Sequence, residues 1–387
     1  MRIAVWLPGC ALLAGCVAAT RSLPPSAAEF VALPLPPSTS YKSIFSFGTS
    51  NGSDPYAGMI ELNGMLYGTT ASGGANGVGT IFKITTAGAE KVVYSFKSSP
   101  DGNNPYAHLT PVHGMLYGTT LYGGPASCGT VFRVTTGGAE KVLHAFKGSA
   151  DGCNPYAALI DVGGELYGTT DVDGANGMGT VFKITTAGVE KVLYAFKGGS
   201  NDGGNPQAGL IDVKGTLFGT TYGGGPDGDG TVFKVTTSGV EKMLHAFKGG
   251  DGKNPACVLL AVNGSLYGTT LGGGAKGLGT VFVVGTSGAE KVLHSFGQGS
   301  DGAAPEFDGL TNVNATLYGV TEKGGTRANG TVFKITTSGK ESVLYRFQGA
   351  NDGDSPHGLL TNVKGELFGT TTYGGSGGAG TVYTIAP

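Results

Sequence analysis

The side chains best placed to do chemistry gather around one irregular stretch, Glu306-Phe307-Asp308, with His357 about fifty residues further on. Two carboxylates sharing a rim with an imidazole can hold a cation, bind a sugar hydroxyl or receive a basic side chain, and their repulsion raises one carboxylate pKa. Glu322 and Lys323 add charge to a stretch that is mostly Gly, Ala and Ser in its counterparts at residues 71–78 and 271–278, and His108 adds an imidazole to another. These six residues, Glu306, Asp308, His357, Glu322, Lys323 and His108, are the candidate ligand-binding set.

Other chemistry is weaker. The segment Asp101-Gly102-Asn103-Asn104-Pro105 returns in variants at Asp151, Asp202, Asp251, Asp301 and Asp352. Carboxylate and amide oxygens suit Ca2+, but one carboxylate per segment is a thin ligand set, and Asx side chains also close their own turns. His144, His245 and His294 share a column with Tyr94, Tyr194 and Tyr345, which reads as amphipathic packing rather than metal ligation. Neither Cys-x-x-Cys nor His-x-x-x-His spacing argues for zinc, so no metal is assigned. Cys128 and Cys153 fall in loops on one face and form a candidate disulfide, while Cys257 reads as buried and free. No nucleophile elbow, helical zinc motif or phosphate-binding glycine loop stands in a strand-to-helix setting.

The elements that must carry these residues repeat. Leu66-Tyr67-Gly68-Thr69-Thr70 has counterparts whose leucines stand at 116, 166, 217, 266, 317 and 367. Seven copies about 50 residues apart each contain four strand-like runs, here called a, b, c and d, as in Tyr156 to Val162, Glu165 to Thr170, Gly179 to Thr186 and Glu190 to Phe196. Pairs such as Asn63-Gly64 supply the positive φ of a tight a to b hairpin. The last copy lacks strand d, and Tyr41 to Phe47 ahead of the first copy matches one. A terminal strand that completes the final unit covers both exposed edges, so the expectation is an all-β, seven-bladed β-propeller closed into a ring. Blade 6 breaks the pattern: Pro305 to Leu317 spans 12 positions where every other blade spans 11, which predicts a bulge beside Glu306 and Asp308.

The phrase and its Gly-Thr-Val-Phe-Lys-Ile companion resemble the GloVer (Gloeo/Verruco) tandem-repeat family of bacterial surface proteins across residues 41 to 387. The resemblance implies the fold and an exported, anchored address, and brings no catalytic residues. At the N-terminus, Met1-Arg2 and an apolar run lead to Leu13-Ala14-Gly15-Cys16, which resembles a lipoprotein signal with Cys16 as the acylated residue. Residues 1–15 are thus expected to be a signal peptide, 16–40 a Pro-rich tether and 41–387 the propeller. Val17 after the cysteine resembles outer-membrane sorting. A net charge of -2 with 13% charged residues offers no basic face for nucleic acid. The expected protein is a monomer held to the membrane by its lipid alone, binding a glycan, peptide or protein through its loop face. The alternative is an exported polysaccharide hydrolase or lyase with carboxylates at the channel mouth.

Overall fold

The computed structural model describes residues 40–297, 299–305 and 309–387. These form seven four-stranded antiparallel sheets, six with their strands in sequence order and the seventh completed by strand Lys42–Ser46, so the fold is a seven-bladed β-propeller. In blade 1 the strands are Ile60–Leu62, Met65–Thr70, Thr80–Ile84 and Glu90–Ser95. The Asn63-Gly64 turn has φ of 54° and 81°, the two positive values that a two-residue hairpin requires.

Closure follows the strand count. Lys42–Ser46 pairs antiparallel with Thr381–Ile385 and becomes the outer strand of blade 7. Phe47 then donates its N–H to Gly380 at 2.9 Å and is fully buried beside Phe82 of blade 1.

Blades are held together by apolar layers. Ile81 and Tyr67 of blade 1 meet Leu116, Phe132 and Val134 of blade 2, and equivalent layers recur around the ring. The aromatic ring on strand c is wholly buried in every blade, as at Phe82, Phe182 and Tyr383. Beneath it lies the glycine of the repeated phrase, because a Cβ on Gly168 would sit 2.7 Å from Phe182 Cζ. At the loop end of each blade the last threonine of strand b bonds the first of strand c, as in Thr70 to Thr80 at 2.8 Å. The glycine of Asp101-Gly102 packs on such a pair, where its Cβ would fall 2.1 Å from Thr120 Oγ1.

Strand a departs from expectation. In blades 1 to 6 it is three residues long, as in Ile160–Val162, and only blade 7 carries the long form, Asp354–Val363. The reason lies between blades: Thr119 Oγ1 donates to Ala157 O at 2.9 Å, and Thr169 to Ala208 O at 3.1 Å. In blades 1 to 5 the residues after the proline are thus bonded to the preceding blade and leave their own sheet, whereas Val320 offers no such bond to blade 7. Glu306 and Asp308, with the bulge expected there, lie outside the described residues, as do Cys16 and the expected signal and tether up to residue 39.

Candidate functional site

The cross-blade threonine bonds fix the backbone next to a column of side chains facing the ring's axis. Tyr56, Tyr106 and Tyr156 follow the prolines of blades 1 to 3, and Gln207 and His357 stand at the same place in blades 4 and 7. Their rings form a continuous arc. Tyr56 and Tyr106 centroids are 4.6 Å apart, Tyr106 and Tyr156 are 5.2 Å apart, and His357 meets Tyr56 edge-on at 5.0 Å. Together with Gln207, Ala107 and Ala157 they line a shallow mouth whose cavity volume is about 20 Å³. Burial pushes the Tyr56 and Tyr106 phenols well above the usual range, so both are neutral hydrogen-bonding groups at any physiological pH.

The surrounding loops are rigidly tied. The d to a and b to c loops zip together through bridges such as Asn103 to Tyr122 and Cys153 to Val172. Asn104 and Asn154, at φ of 52° and 58°, reach back to Ala71 O and Leu121 O of the preceding blade at 2.8 and 3.0 Å. Cys128 and Cys153 are joined in a disulfide with Cα atoms 4.5 Å apart, and Cys257 is buried and free. Tyr122 and Tyr373 rise from these loops about half exposed, and Tyr373 places its hydroxyl 3.5 Å from that of Tyr56.

The expected ligand-binding residues are only partly brought together. His357 is buried in the arc. His108 is half-buried on blade 2 and is not among the residues lining the mouth. Glu322 and Lys323 bond each other at 3.1 Å on the blade 6 loop, a partly exposed pair that contributes little. The tyrosine arc is what the sequence reading passed over. Its signal was available: a tyrosine directly after the proline in three consecutive blades.

The histidine and tyrosine column packs amphipathically as expected, each ring edge-on to a buried phenylalanine such as Phe96 or Phe146, and its polar tips have a common partner. Tyr94 donates to Asp101 at 2.5 Å and Tyr194 to Asp202 at 2.8 Å, while His144 and His245 meet Asp151 and Asp251 at 3.2 and 3.1 Å. Phenol and imidazole are interchangeable there because both carry a polar tip to the same loop carboxylate. That carboxylate also closes its own loop, accepting the N–H of Lys147 or Lys197. A glutamate opening strand d of the following blade faces each pair. Burial first and the facing aspartate second push Glu140, Glu190 and Glu241 up to about 7.

The native state therefore holds these protons more tightly than the unfolded chain, whose glutamates titrate near 4.5. The associated stability is fully present below pH 4.5 and is lost as pH rises through 7, by about 1 kcal/mol per half-exposed group after solvent screening. His144 and His245, which burial holds below the usual histidine range, act oppositely: their contribution is present above 6.5 and falls away in acid. Glu140→Gln with Glu241→Gln should thus remove about 2 kcal/mol of the decline between pH 5 and pH 8, measured by urea denaturation. Parallel pH profiles for variant and wild type would show that these carboxyls are not its source.

Seven antiparallel blades closed by strand Lys42–Ser46 define the chain as a β-propeller. The chain belongs to the Gloeobacter/Verrucomicrobia repeat family, whose model matches residues 34–232 and 210–387. No curated protein matches it in sequence. Among solved structures, the BP39L lectin from Burkholderia pseudomallei is similar with a TM-score of 0.58 at 11% identity, over 88% of this chain and 97% of the lectin. A puromycin hydrolase is similar with a TM-score of 0.53 at 14% identity, over 83% of this chain. The match covers only 50% of the hydrolase's own length. At such identities the likeness is one of fold.

Proposed function

We propose that the protein is a binding module of the cell envelope that takes a glycan at its axial mouth, with Tyr56, Tyr106 and Tyr156 as the stacking surface. The observation that carries this reading is the arc itself: three tyrosine rings with neighbouring centroids 4.6 and 5.2 Å apart, flanked by the Gln207 amide and His357. Aromatic faces match the apolar C–H faces of a pyranose, and phenol and amide groups supply hydrogen bonds to its hydroxyls. The likeness in fold to a bacterial lectin supports the same reading. Export and lipid attachment at Cys16 would place the mouth where envelope or extracellular polysaccharide is met.

The test is a glycan array probed with the mature chain, followed by titration of the best binder. Tyr56→Ala and Tyr106→Ala should each weaken binding at least about tenfold, as for central aromatic anchors, with folding preserved by circular dichroism. Lys323→Ala, away from the arc, should leave affinity unchanged. An empty array, or tyrosine variants that bind like wild type, would remove the proposal.

A further inference from the structure

Away from the axial mouth, the outer rim carries donor sets that the repeat builds between blades. At the junction of blades 4 and 5, His245 on strand Glu241–Ala246, Asp251 in the loop after it and Glu290 at the start of strand Glu290–Ser295 offer donor atoms all within 4.8 Å of one another. The next junction repeats the set with His294, Asp301 and Glu341, whereas the junction of blades 2 and 3 carries the same residue types, His144, Asp151 and Glu190, without three donor atoms that close together. A β-bulge makes this succession possible: His294 pairs with Val281 but Glu290 with Val284, so residues four apart on one strand face opposite neighbouring blades.

We propose that these two junctions are binding sites for a divalent transition metal ion, with Zn2+ as the probe, each using one imidazole nitrogen and two carboxylates. The ligand chemistry is that of zinc: nitrogen and oxygen donors, three from the protein, with a fourth position open to water on the partly exposed rim. Geometry agrees. Tetrahedral ligands about 2.05 Å from zinc lie about 3.3 Å apart, and His245 Nε2 stands 3.1 Å from Asp251 Oδ2, His294 Nε2 3.3 Å from Asp301 Oδ2. Glu290 Oε1 and Glu341 Oε1 are shut off from solvent without a hydrogen-bond partner among the described residues, as are Glu140 Oε1 and Glu241 Oε1 at the tyrosine junctions, so it is the imidazole that sets these two junctions apart. Two carboxylates converging in a partly buried junction, one oxygen of each pair unsatisfied, is an arrangement that a cation completes.

The molecule supplies its own controls. At the junctions of blades 1 with 2 and 3 with 4, Tyr94 and Tyr194 take the histidine's place and donate a hydrogen bond to Asp101 and Asp202, which leaves no imidazole. His245→Tyr and His294→Tyr therefore rebuild a junction that this fold already uses.

The experiment takes untagged full mature chain, stripped with chelator, reloaded with excess Zn2+, desalted and analysed for bound metal, with Co2+ absorption as a second readout. The wild type should retain two zinc ions, each single variant one, and the double variant none. Co2+ should give tetrahedral d–d bands in wild type that vanish in the double variant, and zinc should raise the melting temperature of the wild type but not of the double variant. A wild type that retains no zinc overturns the proposal. So does a double variant that remains folded and keeps both ions, which would place them elsewhere.

Discussion

A chain beginning at residue 48 should be less stable than one beginning at residue 40 by at least about 5 kcal/mol, and should aggregate where the longer chain stays monomeric. The lost segment contains the whole of strand Lys42–Ser46 and its ladder to Thr381–Ile385. It also contains Phe47, fully buried against Phe82 with centroids 5.0 Å apart, and Tyr41, stacked on Tyr345 at 4.0 Å and 7°. Burying two aromatic side chains contributes about 2 to 3 kcal/mol each before any ladder bond is counted. Removing them leaves Thr381–Ile385 as an unpaired edge, open to pairing with another chain. Guanidinium denaturation and size-exclusion chromatography of the two chains decide it. Equal midpoints and equal elution would mean that the ring does not depend on its closing strand.

The second large effect belongs to the glycine inside the repeated phrase. Phe182→Ala should cost about 4 kcal/mol, as expected for emptying a fully buried aromatic site. Gly168→Val should cost about 3 kcal/mol by the opposite route, since its Cβ would meet Phe182 Cζ at 2.7 Å and Leu159 Cδ2 at 2.8 Å with no room to yield. The two positions share one volume, so the double variant should lose at least about 1 kcal/mol less than the sum of the singles. Strict additivity in equilibrium unfolding would show that the ring does not rest on the glycine.

Both effects concern features legible in the chain itself. The 50-residue spacing, the alternation within each run and the Asn-Gly turn describe contacts inside one blade, where partners are close in sequence. A strand d ahead of the first copy and a missing one in the last specify closure, because an unpaired edge is costly in any arrangement. Strand count, strand order and the ring were therefore open to reading before any coordinate was known.

What lies between blades was not. Asp101 faces Glu140 and Asp251 faces Glu290, 39 residues apart in each case, through a contact fixed only by the angle at which one sheet packs on the next. The bulge in strand d hides the relation further, since simple alternation would put Glu290 and His294 on one face when they serve two different junctions. The short strand a has the same origin: Thr119 captures the carbonyl of Ala157 from the neighbouring blade and draws the Tyr156 segment toward the axis. Tyr56, Tyr106 and Tyr156 are about 50 residues apart along the chain, yet become an arc of touching rings once the blades converge on a common axis. Sequence alone determined the blade, because hydrophobic alternation and turn chemistry act over a few residues. Only the tertiary structure decided the mouth and the rim, because side chains on separate sheets meet there through rotation about an axis that no local pattern encodes.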